Sequence, residues 1–217
     1  MTELTQRLKA VLQRMLLHPL AKPLLIMALI YPGAWLIKKA LGDELGVNPA
    51  EALIRQSGDL TLNALCYLLL LSPLRELSGV VALARFRRIL GLGVFGCVCL
   101  HVLSYAWFDM DFEWVDIWAD VLKRPFIFVG FAAFVILSAL ALTSFNAAIR
   151  TLGAKRWRML HKGVFVVVAL GLLHFYWMRA SKHRFEDVIN YAWILTVLVL
   201  YRLASALRQR QKPKVKS

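Results

Sequence analysis

Residues 89–108, ILGLGVFGCVCLHVLSYAWF, run for twenty positions without a single Asp, Glu, Lys or Arg. A helix of about 20 apolar residues, rising 1.5 Å per residue, is what crosses roughly 30 Å of hydrocarbon. The stretch therefore reads as a membrane span, and it holds one titratable imidazole, His101. Five further runs have the same character: about 20–38, 58–74, 125–143, 162–178 and 188–206. The fold class predicted is all-α, a polytopic bundle of six transmembrane helices. Residues 1–19 are expected to form a cytoplasmic N-terminal segment, 20–206 the transmembrane domain, and 207–217 a basic cytoplasmic tail.

Composition supports the membrane class. Of the 217 residues 59% are apolar and only 18% charged, and the mean hydropathy is +0.61, against roughly 45–50% apolar in an ordinary soluble domain. A soluble surface could not cover that excess. Cys66, Cys97 and Cys99 all lie in apolar runs without metal-ligand spacing, so packed thiols are expected. No small-residue cleavage site follows the first basic stretch, which predicts an uncleaved first helix.

The formal charge of +14 would suggest nucleic acid in a soluble protein, but the basic residues flank apolar runs rather than striping one face. No nucleic-acid partner is expected. Nineteen of the 27 Lys and Arg fall on one side of a six-span topology, and 11 of the 13 acids on the other. The positive-inside rule then puts both termini in the cytoplasm and the loops near 39–57, 109–124 and 179–187 outside. The acidic, aromatic stretch 111–122 predicts a short helix on the outer surface, or a docking site for a soluble partner.

Ionisable groups inside a membrane are costly and point to function. His101 sits in the third span and His174 near the end of the fifth, at similar depth in the outer half; His161 opens the fifth. Two facing neutral imidazoles at one level would supply the axial ligands of a low-spin haem; the alternative is two core histidines bonded to neighbouring helices. His161 precedes His174 by 13 residues, about 20 Å along a helix, so it belongs near the opposite face. The positions in the third span that would face it hold Arg87 and Arg88. A protonated guanidinium offers iron no lone pair, yet it can hold a haem propionate, a flavin phosphate or a lipid headgroup, or simply orient the helix. His18 and His183 lie in boundary segments and are expected to be bystanders. Gly91, Gly93 and Gly96 would leave room for a flat macrocycle or allow close helix approach. No P-loop, HExxH or GxSxG occurs.

At these residues the chain resembles a known family. RFRRILGL (85–92), LHVLSYAWFD (100–109), KRPFIFVG (123–130), LALTS (140–144), LGAKRWRMLHK (152–162) and LLHFYW (172–177) are similar, in order and spacing, to the haem-binding membrane subunits of the bacterial periplasmic methionine-sulfoxide reductase system. That MsrQ or YedZ-like family lies within the ferric-reductase-like transmembrane group. The resemblance implies a multi-pass inner-membrane protein passing electrons from quinol, through haem b and FMN, to a periplasmic molybdopterin-containing partner with which it forms a heterodimer. The terminal sulfoxide chemistry would reside on that partner, so no catalytic residue is assigned. His101 and His174 match the family's outer haem ligands, His161 its third membrane histidine, and Arg87 and Arg88 the place where the wider group carries a fourth. Arg87, Arg88 and the basic loop 150–162 are candidates for the FMN phosphate. The rival readings are a transmembrane ferric or metal reductase, and a non-redox transporter or scaffold in which the histidines relay protons or pack.

Overall fold

In the computed structural model, which describes residues 3–180 and 185–211, the described chain consists of helices and connecting turns with no strand. An apolar environment without water leaves backbone N–H and C=O groups only each other to pair with, and a helix pairs them within one segment. Six helices are long and apolar enough to cross a membrane. The predicted six-span, all-α bundle is thus borne out, and the chain is a multi-pass membrane protein.

The first helix, α1 (Glu3–Leu17), is amphipathic, with Leu4, Leu8, Val11 and Met15 exposed on one side. It rests on a 3-10 helix, Val81–Phe86, where Gln13 Oε1 accepts from the Ala82 N–H at 3.3 Å and Arg85 donates to the Leu16 carbonyl at 3.0 Å. Spans follow as α2 (Ala21–Leu41), α3 (Pro49–Ser78), α4 (Arg87–Phe108), α6 (Pro125–Leu142), α8 (Gly163–Ala180) and α9 (Glu186–Gln211). Between α4 and α6 the chain forms α5 (Trp114–Lys123), and between α6 and α8 it forms α7 (Asn146–Leu160), broken at Gly153 with φ +74°. Helix α5 is a short amphipathic helix within the stretch 111–122 where one was expected, with Trp114, Val115, Trp118 and Leu122 exposed.

Helix α3 is longer than the apolar run 58–74 suggests. Asn48 Oδ1 caps it by accepting from the Glu51 N–H at 3.1 Å, and Pro49 supplies a preset φ at the first helical position. Glu51 and Arg55, one turn apart, pair at 2.7 Å, so the helix tolerates charge before the apolar stretch begins. Gly79, at φ +66°, ends it in the left-handed conformation that glycine adopts without steric cost.

Helix α3 is also the centre of the bundle: half of its apolar window is buried, against 6% for α2 and 17% for α9. Leu65 and Leu69 of α3, Val94 of α4, Val167 of α8 and Leu195 of α9 meet there with almost no exposure. Lipid tails are as apolar as leucine, so this core is held by packing and by polar contacts between helices rather than by escape from water. The closest pairings are α3 with α4 and α6 with α8.

Candidate functional site

Those two helix pairs each carry one of the deep histidines. His101 projects from α4 and His174 from α8, and their rings face each other with centroids 6.2 Å apart and planes at 77°. Two imidazoles bound to opposite faces of one metal, each at roughly 2.0–2.1 Å, place their ring centres about 6 Å apart. The observed spacing fits an iron between them.

The hydrogen bonds behind the rings favour the same use. Nδ1 of His101 lies 2.9 Å from the Ile54 carbonyl, and Nδ1 of His174 lies 2.7 Å from the Phe126 carbonyl. A carbonyl can only accept, so in each ring Nδ1 carries the proton and Nε2 keeps its lone pair. Ser57 adds a second contact on the α3 side, with Oγ 3.2 Å from His101 Nδ1 while its hydroxyl donates to the same Ile54 carbonyl at 2.9 Å.

A glycine makes each of these bonds reachable. In a helix the carbonyl of residue i points at the N–H of residue i+4, whose side chain shields its flank. Four residues after Ile54 comes Gly58, and four after Phe126 comes Gly130. A Cβ on Gly58 would lie 3.2 Å from His101 Cε1, and one on Gly130 would lie 2.8 Å from His174 Nδ1. Both rings therefore occupy space left by a missing side chain. The glycines singled out from sequence behave differently: a Cβ on Gly93 would meet Leu29 of α2 at 2.9 Å, whereas Gly91 and Gly96 have nothing within 4 Å.

Polar groups close the end of the site beside α5. Tyr105, one turn past His101, donates to Asp120 Oδ2 of α5 at 2.6 Å, and Asp120 also pairs with Arg124 at the entry to α6. Buried Arg179, five residues past His174, lies 3.6 Å from both Asp59 of α3 and Asp187 of α9. Sequence reading missed Asp59 and Arg179, although an Asp and an Arg inside opposite helices are themselves a signal of pairing.

The third histidine, His161, stands in other company. His161 follows α7, its ring stacked on Trp157 at 4.1 Å, and Trp157 Nε1 donates to the Thr143 carbonyl at 2.9 Å. Nε2 of His161 is 3.3 Å from Thr143 Oγ1, whose own hydrogen goes to the Ala139 carbonyl at 2.7 Å. The proton between them accordingly sits on Nε2, the reverse of the His101 and His174 rings. Burial pushes this imidazole below its ordinary pKa. Arg87 donates to Ser72 on α3 and Arg88 to Asn146 on α7, both at 2.7 Å, so the two arginines part to different helices. His18 Nδ1 accepts from the Leu20 N–H at 3.3 Å, a local turn contact; His183 lies outside the described residues. No cluster of three or more His, Cys, Asp or Glu is present among the described residues, so a two-histidine site is the metal-binding arrangement this geometry favours.

The ferric reductase like transmembrane component family matches residues 57–172, from the glycine brace on α3 to the turn before His174. Relatives named "Protein-methionine-sulfoxide reductase heme-binding subunit MsrQ" align over most of the chain. The protein of Polaromonas naphthalenivorans is 56% identical over 88% of this chain and 87% of its own. Those of Herminiimonas arsenicoxydans and Rhodospirillum rubrum are 47% and 40% identical, covering 89% and 88% of this chain and 88% and 90% of their own. No solved structure matches. With identity of this extent running through both histidine-bearing helix pairs, the chain belongs to the MsrQ family, within the ferric reductase like transmembrane components.

Proposed function

We propose that this chain is the haem b-binding membrane subunit of a methionine-sulfoxide reductase system, carrying electrons from quinol to a periplasmic molybdopterin-containing reductase in a heterodimer. The observation that carries the reading is the facing pair His101 and His174, each with Nδ1–H tied to a carbonyl and Nε2 free. The chain would lie in the bacterial inner membrane with both termini cytoplasmic, as the distribution of Lys and Arg supports.

The residues divide the work. His101 and His174 would hold the iron through Nε2, and the Ile54 and Phe126 carbonyls fix the tautomer and orientation of both rings, raising their basicity as ligands. When bound, the haem supplies a one-electron carrier. Tyr105, Asp120 and Arg124 tie α4, α5 and α6 together over the outer end, which keeps that level close to the surface a periplasmic partner would reach. The exposed acids of 109–116 offer that partner a charged rim. His161 would mark a second, inner level of cofactor contact, and Arg88, on the side of basic α7, is the better placed of the two arginines for a flavin phosphate. Arg87, the other candidate, turns toward α3 and α9.

Purified protein should show reduced haem b absorbance that is lost in both His101→Ala and His174→Ala. Retention of the full spectrum in both variants would sink the assignment. Reduction of chelated ferric iron by the purified chain without any partner would instead favour the metal-reductase reading.

A further inference from the structure

The end of the bundle that carries the termini holds a basic cluster centred on Ser72. Arg202 of α9 donates through Nη2 to Ser72 Oγ at 2.7 Å and to the Leu68 carbonyl at 3.2 Å. Arg87 of α4 donates to the same Ser72 oxygen at 2.7 Å. Ser72 is buried, and with both lone pairs engaged by guanidinium groups its hydroxyl has only a hydrogen left to offer. The Arg202 Nε–H is buried without a partner, a state that buried polar groups rarely keep. Glu76, one turn beyond Ser72, is exposed and accepts from Ser205 at 2.6 Å. Two cations thus converge on one oxygen and present donors alone.

An apolar groove begins at the same place. Phe165 of α8 lies beneath the Arg202 guanidinium, 5.9 Å away, and also lines a groove of about 200 Å³ between α8 and α9 with Ala169, Leu172, Thr196, Val199 and Leu200. Donors at the membrane boundary joined to an apolar channel along two spans match an anionic head with a hydrocarbon tail.

We propose that Arg202, Arg87 and Ser72 bind the phosphate of an anionic phospholipid from the leaflet facing the termini, with one acyl chain in the α8/α9 groove. Paired guanidinium groups recognise phosphate through charge-assisted hydrogen bonds, and basic pockets between spans are where such headgroups settle. A quinone has an apolar tail but an uncharged head, which would leave two converging positive charges unneutralised. A soluble phosphate cofactor would leave the groove unfilled. The site is independent of the haem assignment, since it shares no residue with His101 or His174.

Native mass spectrometry of the full-length protein tests this, using phosphatidylglycerol and phosphatidylcholine of identical chains, with FMN and a ubiquinone as competitors. The wild type should retain phosphatidylglycerol in preference to phosphatidylcholine. Arg202→Gln should reduce that retention on the order of tenfold. Ala169→Phe, at an exposed groove position, should reduce it while leaving the arginines in place, and carries the test if Arg202→Gln does not fold. Equal retention of the two lipids, wild-type retention in the folded variants, or displacement of phosphatidylglycerol by FMN or ubiquinone would overturn the proposal.

Discussion

Helix α8 has one histidine just before it and one within it, and their surroundings are opposites. His174 sits in the span with its proton on Nδ1, held by the Phe126 carbonyl, and with the His101 imidazole 6.2 Å away between ring centroids. His161 sits just before the span with its proton on Nε2, directed at Thr143, and with an indole against its face. Depth alone does not separate a ligand from a packed imidazole; what separates them is which nitrogen the surroundings hold and what stands opposite the other.

The comparison can be broken most directly at the glycines. Gly130→Ala puts a methyl 2.8 Å from His174 Nδ1, and losing the carbonyl bond of a buried ring should cost about 1–3 kcal/mol. The expected result is haem retention weakened several-fold to a hundredfold with a shifted midpoint potential, read by redox titration; an unchanged potential and occupancy would remove the brace from the argument. Gly58→Ala should do the same more weakly, because its contact is 3.2 Å and falls on Cε1 rather than on the bonded nitrogen. Equal effects from the two would mean that the α3 and α6 sides do not differ as the distances indicate.

Tyr105→Phe removes a bond to Asp120, which is only 9% exposed, and should lower stability by about 1–2 kcal/mol, seen as a lower melting midpoint with the haem spectrum unchanged. His161→Ala should leave the haem spectrum intact and cost about 1 kcal/mol of packing against Trp157; loss of that spectrum would collapse the distinction between the two levels. The smallest effect is one of pH. Burial lowers the His161 pKa, so the folded state favours the neutral ring, and its contribution to stability is present above the unfolded value and lost as pH falls below about 6.5. Between about pH 7.5 and 5.5 the melting midpoint should fall slightly more in the wild type than in His161→Gln, measured in detergent.

Sequence made the spans and the depth of the histidines readable, because a length of uncharged residues and a position along a helix are both linear properties. The braces are not linear. Ile54 and Phe126 act through backbone carbonyls, which any residue would supply, and Gly58 and Gly130 matter only because histidines 43 and 44 positions away lean on them. The glycines that stood out, Gly91, Gly93 and Gly96, did so because they lie close to His101 along the chain, and only Gly93 is used for close approach. The true start of α3 was hidden in the same way. Glu51 and Arg55 fall in the loop predicted over 39–57, and the partners that carry the helix through them and past Asp59, including Arg179 from 120 residues on, come into view only in the fold.

Because each imidazole is strapped to the backbone of its neighbour rather than to its own helix, the unit that matters during biogenesis is the helical hairpin. The α3/α4 pair emerges from the ribosome and can enter the bilayer with His101 already aligned before α6 and α8 have been made. The later pair brings His174 aligned in turn. If the pair holds haem as proposed, cofactor capture becomes the joining of two finished halves, with iron as the last fastener rather than the template.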